Sequence, residues 1–218
     1  MARGLVVLAL CLALAAVAAT GLTGDGAPGR TAAAAAPPAG APVRDCRDRI
    51  TGAFTQVGGR TRPYRFAFRP RQDTIFGPLA LSGAAGYGDP AAWEALVRDD
   101  GWTKTVALVR RGARVTLEVP REQRAWMTTE YAHSDAGAHA VTLAGCPRDA
   151  TRADCGRGPR DTCARGPTPF SGGFTIDYAR APRQGRCAEL IVWVQGRPEP
   201  LRKRVFRPRG IACPPLGG

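Results

Sequence analysis

FSGGFTIDYARAPRQGRCAELIVWVQ, residues 170–195, decides the fold. Phe174, Ile176 and Tyr178 alternate with Thr175 and Asp177, the period of a strand with one buried face. Pro182 and Gly185 then punctuate a turn. Cys187 opens a second run, which from 190 to 194 is apolar on both faces and rich in Ile, Val and Trp. That composition predicts a central strand. The two runs are expected to pair antiparallel, with Cys187 at the mouth of the pair stapling it to a distant segment.

The same two-residue period recurs on either side. Tyr64, Phe66 and Phe68 alternate with Arg65, Ala67 and Arg69, which predicts a strand whose aromatics enter the core. Residues 76–82 read as a second short strand, with Pro78 marking an edge or bulge. Residues 102–110 and 113–119 read as two strands joined by a tight turn at Arg111-Gly112, with Val115, Leu117 and Val119 facing inward. Residues 139–146 form another, with Val141 and Leu143 inward, and 205–211 a last one, placed on an edge by Pro208. Between 121 and 138, Trp126, Met127 and Tyr131 require cover. One helix is expected over 89–99: Asp89 is a good N-cap, Pro90 suits the first helical position, and Trp93, Leu96 and Val97 share a face. The sum is an all-β chain: an immunoglobulin-like antiparallel sandwich of about seven or eight strands with one short helix, stapled by disulfides.

The front of the chain reads differently. Residues 1–18 carry a short positive segment, an apolar run and an Ala16-Val17-Ala18 cleavage pattern, so they are read as a signal peptide or N-terminal anchor. Residues 19–43 are mostly Ala, Gly and Pro, too poor in bulky apolar groups to order themselves, and read as a disordered tether. Residues 44–218 remain as the sandwich domain. The localisation expected from this is extracytoplasmic, either secreted or tethered to the membrane by the N-terminal segment.

Formal net charge is +13, from 31 basic and 18 acidic residues. Only Lys104 and Lys203 are lysines, and asparagine is absent, the choices a GC-rich coding sequence writes. Codon bias explains Arg over Lys but not the excess of base over acid. Such a surface attracts anionic polymers, phospholipid headgroups or acidic proteins. Without asparagine there is no N-glycosylation sequon.

Excluding Cys11 in the leading apolar run, six cysteines remain. In an exported chain an even count reads as three disulfides, with 15 connectivities open. Cys155 and Cys163 share one loop and are expected to close on each other. Cys187 begins a strand and Cys213 follows the next one, so antiparallel pairing favours Cys187–Cys213. Elimination leaves Cys46–Cys146. There is no CxxC spacing to suggest a metal, and none is expected.

The succession of Cys146-Pro147, Gly172-Gly173-Phe174, Cys187 before an apolar strand, and Cys213 resembles a group of exported proteins of high-GC Gram-positive bacteria with no established activity. The resemblance covers roughly 65–213. It implies an address and a β-sandwich fold, but no chemistry. The loop holding Cys155 and Cys163 is longer than that group's pattern.

No catalytic signature stands out. His133 and His139 are the only histidines, and with Asp135 they match no zinc spacing. Ser82, Ser134 and Ser171 lie outside any GxSxG elbow. No cofactor motif is read. The interleaved arginines and aromatics of 64–69 raise nucleic-acid stacking, but export and the strict two-residue period argue against it, and no nucleic-acid partner is expected. The candidate surface is basic: Arg197, Arg202, Lys203, Arg204, Arg207 and Arg209 crowd into thirteen residues, opposed only by Glu199. The function expected is that of a non-catalytic extracytoplasmic domain in envelope structure, or one binding an anionic cell-envelope polymer or lipid surface. A small secreted hydrolase, and a basic secreted protein engaging acidic protein partners, are the alternatives.

Overall fold

A computed structural model of the chain describes residues 36–51, 54–84, 101–131, 137–151, 166–177, 179–181, 187–206 and 213. All belong to the second of the two units into which the chain divides, Ala34–Gly218. The expected signal or anchor, the helix over 89–99, His133, the Cys155–Cys163 pair, Arg207 and Arg209 lie outside the described residues.

Among the described residues the strands are β1 (Val43–Arg44), β2 (Phe54–Val57), β3 (Arg60–Pro63), β4 (Thr74–Phe76), β5 (Leu79–Ser82), β6 (Trp102–Lys104), β7 (Val106–Val109), β8 (Arg114–Glu118), β9 (Met127–Thr129), β10 (Ala140–Ala144), β11 (Thr168–Phe170), β12 (Gly173–Ile176), β13 (Ala188–Val194) and β14 (Leu201–Phe206). One sheet has the order β1-β10-β8-β13-β14. All its pairs are antiparallel except β1 with β10. A second has the order β11-β7-β5-β4, a third β6-β12-β9, and β2 pairs with β3 alone.

The second and third sheets are one layer with a bend. β7 pairs with β11 and β6 with β12, and between them the Thr105 amide donates to the Gly172 carbonyl at 3.0 Å. The bend needs two glycines. A Cβ on Gly173 would strike the Thr103 carbonyl, and one on Gly172 would lie 2.7 Å from the Tyr131 Cα. The Tyr131 hydroxyl donates to the Thr105 carbonyl at 2.8 Å, and its ring meets Phe174 edge-on at 5.5 Å. Such an edge-to-face contact suits the ring quadrupoles.

Val115, Leu117, Val141, Leu143, Leu190 and Val192 of the five-stranded sheet enter one hydrophobic cluster with Phe76, Leu79, Val109, Phe170, Phe174 and Ile176 of the bent layer. Burying alternate residues from two layers is what gives each strand its two-residue period. The result is an all-β, sandwich-like domain with two disulfides among the described residues, Cys46–Cys146 and Cys187–Cys213, both as the sequence led us to expect. β13 is interior to its sheet, as its composition predicts, and β14 is an edge strand.

Four expectations are corrected. The antiparallel pair within 170–195 does not form: β12 pairs with β6 and β9, whereas β13 pairs with β8 and β14. The connection between them changes layers, so that Phe174 and Leu190 reach the core from separate sheets. The turn after β7 does the same, delivering β8 to the five-stranded sheet. Residues 76–82 are not one strand, because β4 and β5 fold back on each other around Gly77-Pro78. Gly77 has φ of 55°, the conformation required at the first position of a type II′ hairpin loop. The aromatics Tyr64, Phe66 and Phe68 keep their alternation with exposed neighbours, yet join no ladder and are only half-buried. They pack on one another and on arginines: Tyr64 meets Phe66 at 4.8 Å, Arg69 lies over Tyr64 and Arg110 over Phe68. The last strand begins at Leu201 rather than 205.

The structured chain also starts before residue 44. Val43 pairs with Thr142, and the Thr142 amide donates to the Pro42 carbonyl at 2.8 Å. β10 would otherwise present an unpaired edge, and β1 covers part of it.

Candidate anion-binding surface

The described members of the basic run, Arg197, Arg202, Lys203 and Arg204, are distributed rather than pooled. Arg197 is exposed in the turn between β13 and β14. Along β14, Leu201 and Val205 pack on the core, so Arg202 and Arg204 point to the outer face and Lys203 to the inner one. Arg202 pairs with Glu189 at 3.3 Å. Lys203 donates to the Ile75 carbonyl at 2.7 Å and lies 5.9 Å from the centre of the Phe76 ring. It thereby links the edge of one sheet to β4 of the other layer. A strand's alternation, which sequence spacing alone conceals, separates residues that are adjacent in the chain.

A second group of arginines does converge. Arg110, Arg111 and Arg148 line a groove of about 510 Å³ together with Phe68, Pro78 and Pro167. Arg111 is its fixed member, because its guanidinium donates to the carbonyls of Pro147, Arg148 and Ala150 at 3.0, 2.6 and 2.9 Å. That fork holds the chain just beyond Cys146. Arg110 and Arg148 are exposed. Arg110 lies 5.0 Å from the centre of the Phe68 ring, which orients it without neutralising it. The stem of Arg148 passes over Gly112, where any Cβ would sit 2.7 Å from its Cγ. Among the described residues no carboxylate pairs with Arg110 or Arg148.

None of these three residues stands out in the sequence as a site candidate. Arg148 is far from the Arg110-Arg111-Gly112 turn in the chain and reaches it because β10 ends there: the Gly112 amide donates to the Cys146 carbonyl at 2.8 Å. The only available signal was the run of aromatics and arginines at 64–69, read as core.

Arg44 shows the opposite use of a guanidinium. It is buried, donating to the carbonyls of Tyr131, Ser171 and Asp48, and lies 5.8 Å from the centre of the Phe170 ring. Burial lowers its pKa from the ordinary value, and the charge of Asp48 partly opposes that. His139 is likewise engaged, its Nε2 lying 3.1 Å from the Arg124 carbonyl. Among the described residues no three His, Cys, Asp or Glu side chains gather as a metal site would require, and no helix is long and apolar enough to cross a membrane.

No model of a known protein family, no curated protein and no solved structure matches this chain.

Proposed function

We propose that this chain is a non-catalytic extracytoplasmic domain, exported or anchored through its N-terminal segment, that binds anionic polymers of the cell envelope. The observation carrying the reading is the pair Arg110 and Arg148, exposed over one groove and facing no carboxylate among the described residues. Uncompensated guanidiniums, Arg110 just after β7 and Arg148 in the turn beyond β10, suit phosphate or carboxylate groups, which they grip through paired N–H donors. The two disulfides are compatible with an oxidising compartment. An immunoglobulin-like outline, and kinship with the exported proteins that the chain resembles, belong to the same proposal.

The test is co-sedimentation of the oxidised full-length protein with purified bacterial cell wall across a salt series, with anionic lipid vesicles as a separate arm. Binding should fall steeply with salt and drop about tenfold, or about 1.4 kcal/mol, in Arg110→Ala/Arg148→Ala. Arg202→Ala/Lys203→Ala/Arg204→Ala should weaken it less, since two of those side chains are already engaged. Absence of binding even at low salt overturns the reading. Binding to vesicles alone moves it to a lipid surface.

A further inference from the structure

The outer face of the five-stranded sheet holds a smaller and more shaped recess. Val192 lies in the core and Val194 packs against it, so Trp193 projects away from the core between them. The indole is fixed by charge. Its Nε1 donates to Glu118 Oε2 at 2.8 Å, and the other oxygen of Glu118 accepts from Arg124 at 2.8 Å. Trp193 is paired in register with Thr116 of β8, whose hydroxyl is 2.8 Å from that of Thr142. An aromatic ring is thus held in one orientation by a polar network rather than by packing alone.

Two arginines flank it. Arg114 opens β8, and its carbonyl accepts from the Gln195 amide at 3.0 Å. Arg197 stands in the turn after β13, its amide donating to the Val194 carbonyl at 3.0 Å. Both side chains are exposed, and among the described residues no carboxylate pairs with either. With Trp193, Thr116, Gln195 and, from the N-terminal segment, Pro37, they line a recess of about 280 Å³. That volume lies at or just below the bottom of the range that takes drug-sized ligands, and suits one ring rather than an extended chain.

We propose that this recess binds a single acidic sugar residue of a glycan. The face of a pyranose presents C–H groups carrying partial positive charge, which complement the negative face of an indole. A carboxylate or phosphate on that ring meets the forks of Arg114 and Arg197. Thr116 and Gln195 supply neutral partners for hydroxyls. The inference rests on the anion-binding reading above and gives it a specific ligand class. A flat lipid surface matches the recess less well, because Trp193 lines a concavity together with Pro37 rather than standing at a projecting tip.

The test is titration calorimetry of the oxidised full-length chain with a galacturonate tetramer, a neutral galactose tetramer and inorganic polyphosphate. The galacturonate tetramer should bind, and Trp193→Ala and Arg114→Ala/Arg197→Ala should each weaken it about tenfold. Polyphosphate affinity should change less than about twofold in Trp193→Ala, since phosphates offer nothing to stack. The exposed arginine pair keeps the test valid if the tryptophan variant folds poorly. Galacturonate binding unchanged in the arginine variant overturns the recess. If that binding is lost instead in Arg110→Ala/Arg148→Ala, the anion-binding reading stands and only the recess falls. Equal affinity for the neutral tetramer overturns acidic recognition. Binding of polyphosphate but not galacturonate overturns the glycan assignment. Binding of neither at low salt overturns both.

Discussion

Arg44 and Arg110 are the same side chain in opposite circumstances. Arg44 lies two residues before Cys46, with three backbone carbonyls on its guanidinium and a ring beneath it. Arg110 lies exposed over a groove, oriented by Phe68 and met by no carboxylate among the described residues. The first ties three chain segments into the fold: the domain's start, the segment after β9, and the bend between β11 and β12. The second leaves its charge for something outside the molecule. In a chain with 31 basic residues, counting cannot separate the two uses. What separates them is whether the partner is already in the chain.

The largest expected effect lies at the buried arginine's end of the chain. Removing the bridge with Cys46→Ala/Cys146→Ala frees a loop spanning a separation of 100 residues, against 26 for Cys187–Cys213. On loop-closure entropy the losses should be about 4.7 and about 3.5 kcal/mol. Guanidinium chloride midpoints of the two double variants should fall in that order. The reverse order would mean that the longer loop retains structure when unfolded.

Arg44→Met should cost about 3 kcal/mol, because buried carbonyls lose a charged donor while the aliphatic stem is kept. Arg44→Lys should recover part of this: it restores charge but not the planar fork that reaches separate carbonyls. Chemical denaturation measures both. Equal loss in the two variants would show that fork geometry, not charge, is what the site requires.

The faces of β8 and β10 were readable from alternation alone, since a core residue every second position is imposed by burial on one side. Their partners were not. A short turn that returns a strand to its own sheet and one that hands it to the opposite layer use the same small vocabulary of Gly with Pro or Arg, as the segments around Gly77-Pro78 and Arg111-Gly112 illustrate. What distinguishes them is which faces meet across the core, a property of residues far apart in the chain. The cysteines were legible because strand order in the chain constrained which could meet. The aromatics of 64–68 misled because half-burial against arginines produces the same period as full burial in a core. The site was least legible of all. Arg202 and Arg110 are indistinguishable in sequence, and only the positions of Glu189 and Phe68 give one an internal partner and the other an orientation.

The smallest stability effect is the sharpest discriminator. Arg110→Ala/Arg148→Ala should change unfolding free energy by no more than about 1 kcal/mol, the most that the exposed contact of Arg110 with Phe68 contributes. Arg111→Ala, one residue away, should cost about 1–3 kcal/mol, because it removes the donors holding the carbonyls of Pro147, Arg148 and Ala150. Thermal melts of the two variants, run beside the wall-binding assay, cross the two properties. The pattern expected is a stable protein that binds poorly when Arg110 and Arg148 are gone, and a less stable one when Arg111 is gone. If instead the Arg110/Arg148 variant melts early, those guanidiniums hold the loop after Cys146 in place. The division between arginines engaged within the fold and arginines left for a ligand then shifts toward the fold, and the groove loses its claim to be the binding surface.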